Sequence, residues 1–367
     1  GGEICEARDG DRPREGIGAA LEAMRRVGMH SERLRAATDE QRVPVRGFEG
    51  HGTRVVGDLG RSAAHDTGDG ESVLGVGDER TEDPNGDLQP LGRVGQIQAV
   101  QANLRYPASV KAAMQGADAV VNLVGILTQG GRQRFDAVHE FGARIVAREA
   151  REAGVQALVH VSAIGADAQS PSLYSRTKAA GEAAVRENFP DAVIVRPSIV
   201  FGPEDDFFNR FASMATLAPV LPLIGGGATR FQPVFVGDVA AATVAALSDP
   251  AQAGKTFELG GPAIYSFKDL LELILRETGR NRPLVPVPWA IAGLIGMAGD
   301  IQVKLTPFAP VLTSDQVELL KSDNVANPSL PGLSALGIEA TSVEAIVPSY
   351  LYRYRKGGQY ADLVKPA

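Results

Sequence analysis

Beyond residue 86, apolar positions fall into two alternating textures. Short, nearly continuous apolar runs, such as Asp118-Ala-Val-Val-Asn-Leu-Val124 and Ala192-Val-Ile-Val-Arg196, are separated by longer segments in which apolar residues recur every three or four positions. The first texture suits strands buried on both faces. The second suits helices with one apolar stripe laid against a sheet. The pattern predicts strands over residues 96–101, 118–124, 158–161, 192–196 and 256–259, and helices over 107–115, 134–153, 174–188, 238–248 and 266–278. In the 134–153 segment Phe135, Val138, Phe141, Ile145 and Val146 share the apolar face, and Pro197 stops the strand before it. Regular alternation of strand and helix is the signature of a parallel sheet with crossover helices. The expected fold class is α/β, a doubly wound parallel sheet with a small C-terminal α/β region. No period of a solenoid or propeller is visible.

The first 86 residues have a different texture. Charge is dense, Gly is frequent, Lys is absent and Phe48 is the only aromatic residue. Apolar runs are as short as Thr53-Arg-Val-Val, a composition that favours a poorly packed extension. A dinucleotide fold begins with a strand, a Gly-rich turn and a helix N-terminus for the pyrophosphate. Neither Gly57-Asp-Leu-Gly60 nor the stretch 68–77 fits that description. Residues 1–86 are therefore expected to be an atypical segment, poorly ordered or read out of the native frame. Residues 87–250 are expected to form the nucleotide-binding domain, and 251–367 a region that meets substrate or partner.

Composition narrows the classes. The 367 residues are 44% hydrophobic and 22% charged, ordinary for a globular protein, and the net charge of −7 argues against a general nucleic-acid binder. Cys5 is the single cysteine, so no internal disulfide is available, and none of the five histidines has a metal-ligand spacing. No apolar run reaches the roughly 18 residues of a membrane span, and the start of the chain has no apolar signal core.

Tyr174 and Lys178 stand four residues apart in a predicted helix and so share one face. A nearby ammonium favours phenolate and is expected to lower the Tyr174 pKa, allowing proton transfer with a substrate oxygen. The preceding strand ends on Ser162. A bare Tyr-Lys pair is more often an exposed helix face; the strand, the serine and the loop before it tip the reading toward a Ser-Tyr-Lys site. Asn122-Leu-Val-Gly125 ends a buried strand, where Gly lets a nucleotide approach the backbone. After the next strand, Arg196-Pro-Ser-Ile-Val-Phe-Gly-Pro203 makes a corner that either is structural or closes over the nucleotide. Asp238 is expected to cap its helix. Gly225-Gly-Gly227 lacks the context of a phosphate loop and reads as a flexible loop. The apolar stretch 288–297, with the only Trp, is expected to be a core helix, or alternatively a docking surface.

With these residues in place, the chain resembles the atypical short-chain dehydrogenase/reductases, and among them the nucleotide-binding accessory subunits of respiratory complex I in bacterial form. The resemblance rests on residues 118–127, 159–166, 174–182 and 195–203, and on three stretches more specific to that family, 205–214, 312–324 and 350–360. It implies a Rossmann-like fold with a bound NADP(H), NAD(H) being the alternative, held structurally where the hydrophilic and membrane arms meet. The partners implied are the subunits of complex I, with peripheral contact at the cytoplasmic side of the inner membrane and no nucleic acid. By position, Asn103 and Leu104 would approach the adenine, and Leu123, Val124 and Gly125 would line the nucleotide. Ser162, Tyr174 and Lys178 would face the nicotinamide ribose and ring, with Pro197 and Ile199 along the nicotinamide. Two other functions remain open from the residues alone: a free-standing NAD(P)-dependent reductase or sugar-nucleotide epimerase of the short-chain type, with Tyr174 as acid/base, and a scaffold that binds no nucleotide.

Overall fold

The structure, a computed structural model, describes residues 53–56, 100, 102–129, 134–305, 310 and 312–358. Its frame is a sheet of β1 (Thr53–Val56), β2 (Ala119–Asn122), β3 (Ala157–Val161), β4 (Val193–Pro197) and β9 (Thr256–Leu259), side by side in that order. All four pairings are parallel. Between β4 and β9 run the short strands β5 (Val200–Phe201), β6 (Leu221–Ile224), β7 (Arg230–Phe231) and β8 (Val234–Phe235). After β9 come β10 (Tyr265–Ser266) and β11 (Leu284–Val287). These pair two by two outside the main sheet, as β5 with β8, β6 with β11 and β7 with β10.

The apolar runs are continuous because both faces of the sheet are covered. Successive strand residues point to opposite sides. Val120, Leu158 and Ile194 face the helices Pro107–Ala113, Ala143–Glu152 and Leu173–Asn188, packing with Val110, Met114, Ile145, Val146 and Val185. Their neighbours Val121, Val159, Val193 and Val195 face the helix Val236–Ser248 through Ala240, Ala242 and Leu247. A third core lies toward the C-terminal side, where Phe201, Phe208, Phe231 and Phe235 pack with Phe267, Leu270, Ile274, Val347 and Tyr350.

The three stretches that resemble complex I subunits mesh with one another and with the sheet. Asp205 caps the helix Asp206–Leu217 by accepting from Phe208 N–H, and it also accepts from the Tyr350 hydroxyl at 2.5 Å. Arg353 donates to the Pro203 carbonyl and to Asn209 Oδ1. Asn324 Oδ1 accepts from Ser198 Oγ at 2.5 Å and from Ile199 N–H at 3.0 Å, fixing the corner after β4.

Several expectations change. Thr53–Val56, expected within a poorly packed extension, forms a strand paired with β2; the remaining N-terminal expectations, and the strand over 96–101 apart from residue 100, lie outside the described residues. The boundary expected at residue 250 falls within the sheet, since β9 completes it, and residues 201–235 pack with the C-terminal part. The helix expected over 134–153 is wound in π form over Asp136–Gly142 before continuing as α-helix. Asp238 lies inside the first turn rather than at the cap, and its carboxylate accepts from Thr341 N–H at 2.7 Å and Thr341 Oγ at 2.9 Å. Gly225–Gly227 form a tight turn, all at positive φ, with Gly225 so close under Trp289 that a side chain would overlap the indole. The Trp289–Leu305 helix buries its small face, Ala292, Gly296 and Gly299. It leaves large apolar residues outside, with Leu294, Met297 and Ile301 each more than half exposed at 64%, 56% and 58%. It is not a core helix. Among the described residues, no helix is long and apolar enough to cross a membrane.

Candidate nucleotide site

Parallel strands present their carboxyl ends on one edge of the sheet, and the candidate residues sit there. β2 ends on Asn122, β3 on Val161 with Ser162 following, and β4 on Pro197. Ser162 N–H donates to the Val195 carbonyl at 2.7 Å and Ile164 N–H to the Pro197 carbonyl at 3.1 Å, tying the two strand ends together. The Leu173–Asn188 helix then crosses this edge. Ser172 caps it through Ser175 N–H, and Tyr174 and Lys178 lie on its first two turns.

Lys178 is buried at 5% exposure, and its Nζ donates to the Val161 carbonyl at 3.0 Å. It converges with Gly125: a Cβ there would stand 3.8 Å from Lys178 Nζ and 3.9 Å from His139 Nε2. Burial lowers Lys178 to about 8, opposed by the Glu182 carboxylate. His139 is held at both ring nitrogens. Nε2 accepts from Ile126 N–H at 3.1 Å, so the proton is assigned to Nδ1, which bonds Thr177 Oγ at 3.0 Å. Thr177 in turn donates to the Tyr174 carbonyl. Burial, then the charge of Lys178, brings His139 down to about 3, and the imidazole is neutral. His160 is lowered by the same causes and pairs its Nδ1 with Asn122 Nδ2 at 3.0 Å.

The expected lowering of the Tyr174 pKa is not found. Burial raises it to about 12, and the Asp315 carboxylate adds to the rise. The physical reason is that an apolar wall, with the Phe135 and His139 rings edge-on at 5.8 and 5.3 Å, desolvates phenolate. Tyr174 is therefore a neutral phenol near pH 7, a hydrogen-bond donor rather than a ready base.

Whether a nicotinamide nucleotide suits these residues is tested by their unmatched polarity. Among the described residues Ser162 Oγ is buried without a hydrogen-bond partner. Lys178 carries three donors, and among the described residues its ammonium bonds the Val161 carbonyl alone. Opposite them Gly125 presents bare backbone. Hydroxyl, ammonium and open backbone at one strand edge suit the hydroxyls of a ribose, so the residues fit the group. Leu123 and Val124 flank that edge, with Val124 N–H on Asn122 Oδ1. Ile199 is anchored by Asn324. Leu104 packs against Gly142, where a Cβ would meet its Cδ1 at 2.7 Å. Asn103 folds back on its own turn, accepting from Arg105 N–H. Arg196 forks onto Glu182 at 2.7 and 2.8 Å and reaches Glu258 at 3.2 Å, a structural ion triad. Among the described residues no group of side chains would hold a metal.

The family model described as NAD(P)H-binding matches residues 82–213. Among solved structures, the NADPH-dependent quinone oxidoreductase of Escherichia coli, complexed with NADPH, superposes with a TM-score of 0.57 at 19% identity, covering 77% of this chain and 89% of that one. The fold is that of Rossmann-like α/β proteins, and the family match gives this chain an NAD(P)H-binding domain. Sequence relatives narrow this further. The chain is 34% identical over 287 residues to mitochondrial NADH dehydrogenase (ubiquinone) 1 alpha subcomplex subunit 9 of Arabidopsis thaliana, covering 76% of this chain and 71% of that protein. It is 36% identical over 269 residues to the Mus musculus subunit, covering 73% and 70%. The chain belongs to the family of these subunits.

Sequence reasoning passed over His139, Thr177, Asp315 and Asn324. His139 carried a usable signal, four residues after Phe135 on the same predicted apolar face. Asp315 carried none, because nothing in its neighbourhood points to a helix more than 140 residues earlier.

Proposed function

We propose that this chain is an accessory subunit of respiratory complex I that holds NADP(H) structurally and does not turn it over. The observation that carries the reading is the Tyr174 ring walled by Phe135 and His139, where burial disfavours phenolate, on the same helix as a buried Lys178 that donates to the Val161 carbonyl. Such a pair donates hydrogen bonds to ribose and ring substituents. It is poorly set to exchange protons with a carbonyl substrate near neutral pH. A bound nicotinamide would supply the capacity for hydride transfer. Ser162, Tyr174 and Lys178 orient it, Gly125 admits it to the backbone, and Pro197 and Ile199 border the nicotinamide end. Association with complex I is supported by the names of the relatives, and the cytoplasmic side of a bacterial inner membrane is the placement proposed for it here.

The test is to isolate the protein from membranes of its host and identify the nucleotide released on denaturation. NADPH in near-stoichiometric amount, co-migrating with NADH:quinone activity and stable toward carbonyl compounds, is the expected result. An empty protein, or one that oxidises NADPH with a carbonyl or sugar-nucleotide substrate, overturns it. Lys178→Met sharpens the test. Losing a charged hydrogen bond worth roughly 1.5–3 kcal/mol weakens nucleotide binding about tenfold or more. The apo protein, relieved of a buried ammonium, melts no lower than wild type.

A further inference from the structure

The stretch 312–319 touches two parts of the molecule at once. On one side it lies against the Trp289–Leu305 helix at a distance only glycine permits. A Cβ at Gly296 would stand 2.8 Å from the Ser314 nitrogen, and one at Gly299 would overlap the Leu312 carbonyl oxygen. Asp300 Oδ1 accepts from Ser314 N–H, and Leu312 and Val317 pack with Ala292 beside Trp289. On the other side Asp315 reaches the start of the Leu173–Asn188 helix. Its carboxylate accepts from Ser172 Oγ at 3.0 Å, Leu173 N–H at 2.6 Å and Tyr174 N–H at 3.2 Å. The two amides are first-turn donors with no partner inside the helix. A carboxylate there is favoured by charge-assisted hydrogen bonds and by the helix dipole.

We propose that Asp315 is a positioning residue of the nucleotide site, and that through it the placement of the Trp289–Leu305 helix and the occupancy of the nucleotide pocket are linked. The proposal rests on the nucleotide-binding reading above. The contact path is continuous: a helix with an exposed apolar face, a glycine-tight seam, one carboxylate, then the backbone that carries Tyr174 and, one turn on, Lys178. Coupling between two sites is reciprocal. Covering or displacing the exposed helix changes nucleotide affinity, and the nucleotide changes the surroundings of Trp289.

Trp289 is the only tryptophan in the chain, so its emission reports on the seam directly. The experiment titrates the full chain with NADP+, following binding by calorimetry and Trp289 by fluorescence. Asp315→Asn is expected to weaken binding roughly tenfold, within the range of ordinary intersite couplings, and to abolish the nucleotide-dependent change in emission. Asp315→Glu restores part of both. Gly299→Ala, on the seam and away from the pocket residues, weakens binding as well. Ser266→Ala, outside the seam, removes the cap of the Phe267–Thr278 helix, where Ser266 Oγ accepts from Asp269 N–H. It lowers melting temperature while leaving NADP+ affinity unchanged, which separates positioning from general stability. Wild-type affinity in both Asp315→Asn and Gly299→Ala, or Trp289 emission indifferent to saturating NADP+ in the wild type, overturns the inference while leaving nucleotide binding intact. No calorimetric binding of NADP+ or NADPH to the wild type overturns the nucleotide reading and the inference with it.

Discussion

Gly181→Ala reverses the sign that helix propensity alone assigns. Gly181 lies inside a 16-residue helix, where Ala is ordinarily better than Gly by about 1 kcal/mol. Its Cα faces the π-wound turn of the neighbouring helix. A Cβ would overlap the His139 carbonyl oxygen and lie 3.1 Å from that carbonyl carbon. Both are backbone atoms, so no rotamer change relieves them, and His139 is pinned by hydrogen bonds at both ring nitrogens. The helices must part by roughly an ångström, and overpacking of this kind costs about 1–3 kcal/mol. Backbone against backbone puts the cost near the upper end, which leaves a net loss of about 2 kcal/mol after the propensity gain. Thr177 and Lys178 sit on the same interface, so nucleotide affinity falls together with stability. Gly293 is the control: it lies in the Trp289–Leu305 helix, and a Cβ there meets nothing within 4 Å. Gly293→Ala is expected to stabilise by up to about 1 kcal/mol. Urea unfolding of the three proteins, with slopes compared, measures both shifts. If Gly181→Ala is as stable as wild type, or if the two variants shift in the same direction, the close-approach argument is wrong.

Acid weakens the fold through its buried histidines. His139 has a folded pKa of about 3 against an ordinary 6.5, so in that window the unfolded chain binds a proton that the folded chain excludes. Its contribution is whole above the ordinary value and is lost as pH falls below it. Between pH 7 and pH 5 the loss from His139 alone is about 2 kcal/mol, and His160 adds to it with the same sign. His139→Gln flattens this slope; an unchanged urea midpoint between the two pH values in the wild type contradicts it. Arg196→Ala strands the buried carboxylates of Glu182 and Glu258 and is expected to cost about 3 kcal/mol. Arg196→Lys recovers only part, since an ammonium cannot fork onto Glu182; full recovery in a melting experiment contradicts the assignment of the triad.

Much of the sheet was legible because the signal is local. The runs around Val121, Val159 and Val195 are strand-length and apolar throughout, and the helices between them carry apolar residues at helical spacing. Thr256–Leu259 was predicted with the ends the structure shows. Errors collect where a partner distant in sequence decides. Asp238 has the chemistry of a cap, and Thr341 takes its carboxylate instead. The 289–305 helix is apolar enough to be core. It is instead held by its glycines against the stretch 312–314, which leaves Leu294 and Met297 outside.

By itself the amino-acid order determined the alternation of strand and helix, and it placed Ser162, Tyr174 and Lys178 around one strand end and the helix that follows. Those facts depend on neighbours within a turn or two along the chain. Only the tertiary structure decided how those groups ionise. The Tyr174 phenol rises because Phe135, His139 and Asp315 close around it, and Lys178 falls because its ammonium is buried against a strand end. Desolvation and charge depend on distance in space, and a pair spaced four apart carries no record of what the rest of the chain folds over it.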